Sequence, residues 1–261
     1  MNFLKVSIVQ MSVKAENPIS NREKAKSLIR NAAIEKPDII ILPEMWTTGF
    51  HLNNINEISD IDGRPTLDML RDLAKKNNIN IISGSFANIM KEKIYNSAFV
   101  VNRKGEIVAD YNKIHLFKMM QENQYFTGGN EICTFEIEGV QCGLIICYDL
   151  RFPELARKLA VHGIKILFVP AQWPVARIEH WVILLRARAI ENQIFIVACN
   201  VAGEFEEDIF NGNSMIISPL GEVIDVFDYR EQHKSFDIDV NMINLVRSRI
   251  NYIADRRPDL Y

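Results

Sequence analysis

After its first residue, the run Asp38-Ile39-Ile40-Ile41-Leu42 carries an apolar side chain at every position. Successive side chains of a strand point to opposite faces, so such a run needs cover on both sides. The pattern recurs at Ile79 to Ser83, Gly143 to Cys147, Ile166 to Val169 and Ile194 to Cys199, and Lys5 to Val9 is a further short strand. Amphipathic segments lie between these runs. Asn21 to Glu35 sets Ala25, Leu28, Ile29 and Ala32 at helical spacing. Thr66 to Lys76, Pro153 to His162 and Glu179 to Asn192 also read as helices, with Pro153 suited to a first turn. Two hairpins are expected. One pairs Asn96 to Val101 with Glu106 to Tyr111 across Arg103-Lys104-Gly105; the other pairs Asn213 to Ser218 with Glu222 to Phe227 across Pro219-Leu220-Gly221. Strand–helix alternation with added hairpins predicts an α/β layered fold with mixed sheets. No linker or low-complexity segment interrupts it, so residues 1–261 read as a single domain.

Bulk chemistry excludes several classes of function. Thirty basic against 33 acidic side chains give a net charge of -3, with no long run of like charge, so no nucleic-acid partner is expected. No apolar stretch approaches membrane-spanning length, and Met1 to Met11 opens directly into a strand-like run without signal-peptide features. Cys133, Cys142, Cys147 and Cys199 form no CxxC pair, which fits a reducing, cytoplasmic setting with a thiol free for chemistry. His115 and His162 are isolated and no His/Cys/Asp cluster has metal-ligand spacing, so neither a metal nor another cofactor is expected. Phosphate-binding glycine loops and the GxSxG elbow are absent from the sequence.

Three residues sit just past strands, where α/β folds collect reactive groups. Glu44 follows the buried run through Leu42-Pro43, and partial desolvation there suits a carboxylate to proton transfer. Cys147 lies between an apolar strand and the helix beginning at Pro153, where backbone N–H groups and the helix dipole favour a thiolate. Lys113 closes the strand ending at Tyr111, and a cation held there could stabilise an oxyanion or lower a neighbouring thiol pKa. Each has an ordinary reading when taken alone: a solvated glutamate, a core cysteine, a snorkelling lysine.

Together with their flanks they resemble a known family. Leu42-Pro43-Glu44, Tyr111-Asn112-Lys113-Ile114-His115-Leu116 and Cys147-Tyr148-Asp149-Leu150-Arg151-Phe152-Pro153 are similar to the three catalytic blocks of the nitrilase (carbon–nitrogen hydrolase) superfamily, in order and spacing. The resemblance runs from about Lys5 to Asp239 and implies a four-layer αββα sandwich with two mixed sheets. It also implies a Glu44–Lys113–Cys147 triad. Glu44 is then the general base, Cys147 the nucleophile that forms a thioester, and Lys113 with the backbone N–H of Tyr148 the oxyanion holder. A further supporting glutamate is expected between the lysine and cysteine blocks; Glu122 is favoured over Glu131, which lies beyond the Gly128-Gly129 turn.

Ala171-Gln172-Trp173-Pro174, His180-Trp181 and Arg188-Ala189-Ile190-Glu191-Asn192-Gln193 resemble most the omega-amidase branch. Its members hydrolyse the ω-amides of short 2-oxo dicarboxylic acids such as 2-oxoglutaramate and 2-oxosuccinamate. A substrate of that kind needs a cationic anchor for its distal carboxylate, and a bidentate arginine suits it. Arg177 is the candidate; Arg151 is set aside as a residue for pairing with a nearby acid. Trp173, Phe50 and Met120 are candidate apolar walls, while Trp181 reads as packing. Rival readings are an aliphatic amidase, an N-carbamoyl amino-acid hydrolase or a true nitrilase with the same triad. More remote are a non-catalytic scaffold and a papain-like hydrolase using His115, His162 or His180 as base. The family resemblance also implies a homodimer, with 240–261 as a C-terminal tail packing on the partner through Tyr252, Pro258 and Tyr261.

Overall fold

The computed structural model describes residues 3–205 and 208–260; Met1 and Tyr261, named above for the N-terminal run and the tail, lie outside them. The apolar runs form the inner strands of two sheets. In the first, Phe3–Gln10 pairs in parallel with Ile39–Ile41, which pairs in parallel with Asn80–Ile82. The long strand Lys93–Val101 then joins antiparallel, carrying Phe86–Met90 and Asp60–Ile61 beyond it and Ile107–Asn112 alongside. Gln232–Asp239 returns from the far end of the chain to close the other edge against Phe3–Gln10. The second sheet has Val140–Leu144, Ile166–Ala171 and Phe195–Asn200 parallel at its centre. It is flanked by Cys133–Ile137 on one side and the hairpin Met215–Ile217 with Val223–Val226 on the other.

Parity decides which residues go where. Ile39 and Ile41, with Leu4, Val6 and Ile8, face the core between the sheets, where they meet Leu144, Phe168 and Val197. Ile40 points to the opposite side and joins Ile29, Leu70 and Leu73 under the helices Pro18–Ala33 and Thr66–Asn77. The helices Pro153–Val161 and Ile178–Asn192 cover the outer face of the second sheet through Leu155, Leu159, Trp181 and Leu185. Both faces of each sheet are therefore covered, which gives the αββα order and explains the continuous apolar runs.

Several elements depart from expectation. The strand Val140–Leu144 ends before Cys147 rather than at it, and Cys147 instead opens a 3-10 turn, Cys147–Arg151. The segment 240–261 is not simply a tail, since it begins with the helix Asn241–Arg249, whose Ile243 is buried in the core. The strands Phe86–Met90, Cys133–Ile137 and Gln232–Asp239 and a ribbon of Ala202–Phe205 with Asp208–Asn211 were not anticipated.

Candidate active site

Strand ends of both sheets converge at one place. Glu44 lies three residues past Ile41, Lys113 directly follows Asn112, Cys147 follows the strand ending at Leu144, and Gln172-Trp173 follow Ala171. Two close approaches hold the glutamate and lysine segments. Gly84, at φ +65, lies so near the Glu44 segment that a Cβ would come within 2.1 Å of the Pro43 carbonyl oxygen. Gly129 donates its N–H to the Lys113 carbonyl at 2.9 Å, and a Cβ there would meet the Asn112 carbonyl oxygen at 2.1 Å.

Lys113 is almost completely buried between two buried carboxylates. Its Nζ donates to Glu44 Oε1 at 2.7 Å and to Glu122 Oε1 and Oε2 at 3.1 and 2.9 Å. Asn96 Nδ2 donates to the same two groups, Glu44 Oε1 at 3.0 Å and Glu122 Oε1 at 3.1 Å. The Gln172 N–H fixes Glu44 Oε2 at 2.9 Å, and the Phe117 N–H fixes Glu122 Oε2 at 2.6 Å. Burial works against the charge on Lys113, yet Glu122 and Glu44 outweigh it and hold the ammonium above the usual lysine range. Burial pushes Glu122 up, with Glu44 adding to the effect and Lys113 opposing it. Glu131, the competing glutamate, is exposed.

The sulfur differs from the sequence expectation. Burial first, then the neighbouring Glu44 charge, drive the Cys147 thiol well above the ordinary cysteine range, and Lys113 offsets this only in part. The resting sulfur is therefore protonated. A terminus dipole acts on a group at the helix end itself. Here the longer helix begins only at Pro153, and enclosure dominates.

The Cys147 turn is strained and braced. Cys147 has φ +44, an uncommon conformation for a residue with a side chain. Buried Asp149 accepts from the Ile146 N–H at 3.0 Å, the His115 N–H at 2.9 Å and Tyr111 OH at 2.7 Å. It thereby ties the cysteine turn to the lysine segment. Arg188 Nε donates to the Leu150 carbonyl at 3.1 Å from the helix behind. His115 stacks on Phe152 and sits 2.8 Å from Asp149 Oδ1 through Nδ1, on the brace rather than in the pocket lining.

A pocket of about 360 Å³, counting its mouth, opens above this cluster. Glu44, Lys113, Cys147, Tyr148, Trp173, Arg177, Phe50 and Met120, all singled out from the sequence, line it, and Glu122 lies behind Lys113. Phe50 puts its ring centre 5.4 Å from Lys113 Nζ. Trp173 is pinned by Asn200, whose Oδ1 accepts its N–H at 2.7 Å. Trp181 is fully buried, with Nε1 donating to the Asn213 carbonyl at 2.9 Å, in keeping with a packing role.

Sequence reasoning missed Phe117, Gln172, Pro174 and, as a pocket residue, Arg151. Arg151 makes no ion pair with an acid among the described residues; its guanidinium lies 4.6 Å from the Trp173 ring centre and lines the pocket beside Arg177. Its position four residues past Cys147, in a turn leading to a helix, was the signal available.

Residues 5–248 match the family model for carbon–nitrogen hydrolases. The chain is 39% identical to the 2-oxoglutaramate amidase of Bacillus subtilis over 98% of both chains. It is 31% identical to the omega-amidase NIT2 of Pongo abelii over 100% of this chain and 98% of that one. The solved structure of a carbon–nitrogen hydrolase superfamily protein from Xanthomonas campestris, which carries an arsenic adduct in its active site, superposes with a TM-score of 0.92 at 30% identity over 98% of each chain.

Proposed function

The chain belongs to the carbon–nitrogen hydrolase family, and from that membership we propose that it releases ammonia from the ω-amide of a short 2-oxo dicarboxylic acid, 2-oxoglutaramate or 2-oxosuccinamate. The observation that carries the reading is a pocket with a buried carboxylate–thiol pair on its floor and two arginines, Arg151 and Arg177, in its lining. The floor suits an amide carbon and the arginines suit a carboxylate. The B. subtilis and P. abelii relatives bear names of that same activity.

In this reading Glu44 takes the thiol proton as sulfur attacks. The transfer moves a proton within the Glu44–Cys147 pair and leaves the total charge of the site unchanged. No new charge is created in a buried site, so the step avoids a desolvation cost that free ionisation of Cys147 would meet. Lys113 has its protons engaged by carboxylates at rest. The bidentate contact to Glu122 can become monodentate and free one of them for the tetrahedral oxyanion, alongside the Tyr148 N–H. Glu44 then gives its proton to the departing ammonia, and water admitted afterwards cleaves the thioester. Glu122 acts as a positioning residue for Lys113. Arg177 and Arg151 hold the distal carboxylate between walls of Trp173, Phe50 and Met120.

The reading is tested by kcat/KM on 2-oxoglutaramate and on the same amide lacking its carboxylate. Replacing both arginines by Met is expected to cost the first substrate roughly 100-fold, in line with lost charge-assisted hydrogen bonds, and to leave the second nearly unchanged. Equal activity of the wild type on both substrates contradicts it.

We also propose a cytoplasmic homodimer, with residues 1–261 folding as one domain. No described helix is long and apolar enough to cross a membrane. The helix Asn241–Arg249 and the segment after it expose Leu245, Ile250, Tyr252 and Leu260, apolar surface suited to a partner copy. Light scattering on a gel-filtration peak should give twice the 30.0 kDa chain mass, and a monomer removes the proposal.

A further inference from the structure

Among the described residues, Gln172 is the one carboxamide lining the pocket, and its side chain is unaccounted for by the chemistry above. It is only 3% exposed, and neither Oε1 nor Nε2 has a hydrogen-bond partner among the described residues. Buried donors and acceptors are almost always paired, so an orphaned pair at a pocket wall points to a ligand that completes it. The backbone of Gln172 sits at the reacting end: its N–H donates to Glu44 Oε2 at 2.9 Å. The part of a substrate nearest that backbone is the end beside Glu44 and Cys147.

A primary carboxamide is complementary to another primary carboxamide, since each offers one N–H where the other offers an oxygen. We infer that Gln172 is a specificity-determining residue that pairs with the carboxamide being cleaved, Oε1 accepting from its NH2 group and Nε2 donating to its oxygen. The inference rests on the amide-hydrolase reading above and adds the group that selects the amide. The second N–H of the substrate remains directed to Glu44. An ester of the same acid offers no N–H, leaves Oε1 unpaired, and is discriminated against in the way a site built around hydrogen bonds rejects an analogue that lacks one.

The experiment compares 2-oxoglutaramate with the ω-methyl ester of the same acid on the wild type and Gln172→Met, with Gln172→Leu as a second variant. Losing the N–H acceptor should lower the amide-to-ester ratio of kcat/KM roughly 10- to 100-fold. Ester turnover serves as the internal measure of a folded, reactive Cys147. A ratio that stays within about threefold, with both substrates falling together or neither falling, overturns the inference. Failure of both variants to fold also overturns it, because Gln172 is then a packing residue. Should the wild type ignore 2-oxoglutaramate but cleave a plain aliphatic amide, the reading of the acid moiety fails. The same amide–ester comparison on that substrate still decides on Gln172.

Discussion

Glu44 and Lys113 illustrate how single side chains here act against their isolated tendencies. Glu44, besides the base role proposed for it, is one of the groups that keeps the Cys147 thiol protonated. Glu44→Gln should therefore do two opposite things. It should bring the thiol titration, followed by thiolate absorbance, to lower pH than in the wild type, while amide turnover falls roughly 100- to 10,000-fold for want of a general base. A titration that moves upward or stays in place contradicts the assignment. Lys113→Met should leave Glu44 and Glu122 facing each other without a buried cation. Removing one partner of such a group costs about 3–5 kcal/mol, visible as a large drop in denaturation midpoint, whereas a change within experimental scatter would mean that the lysine does not hold the carboxylates together. Such couplings were not legible in the sequence. Glu44, Lys113 and Cys147 could be found from their blocks, and Gln172 lay in a block that pointed only to a family branch, while Asn96 sits in ordinary strand text; both gain their place in the site only from what folds against them.

Turns and strand ends determine how the reactive groups meet. The apolar runs read correctly because their parity alone requires two-sided cover, as Ile39 to Leu42 demonstrates. The end of the strand before Cys147 did not, because Ile145 and Ile146 continue the apolar pattern while the Asp149 carboxylate captures the Ile146 N–H and bends the chain. Gln232–Asp239 was missed for a different reason. It is polar and only part-buried, and its partner Phe3–Gln10 lies at the opposite end of the sequence. Gly84 offers a test of these close approaches. Gly84→Ala would put a methyl on the Pro43 carbonyl in a left-handed conformation. It should shift the Glu44 segment, reducing kcat at least tenfold and lowering the melting temperature; a variant with wild-type kcat and stability would show that the segment yields without consequence.

Across the molecule, all four cysteines are buried free thiols, and burial raises each of them. The Cys133 thiol is pushed up to about 12 from the ordinary 9.0, with burial the main cause and Asp110 adding to it. A folded chain therefore keeps its thiols neutral where the unfolded chain ionises. The stability they support is present below pH ~9 and lost as pH climbs from the unfolded value toward the raised folded ones. Melting temperature should fall with increasing pH above about 9, and Cys142→Ala combined with Cys199→Ala should flatten that fall. An unchanged slope would assign the alkaline loss to other groups. The two-sheet architecture that buries these thiols also delivers Glu44, Lys113 and Cys147 from separate strand ends to one pocket floor. The most direct test of that convergence is ammonia release from 2-oxoglutaramate by the wild type and by Cys147→Ala. Turnover by the wild type and a loss of more than ~1000-fold in the variant is the expected result; ammonia release that survives in Cys147→Ala contradicts the nucleophile and, with it, every role assigned to the residues around it.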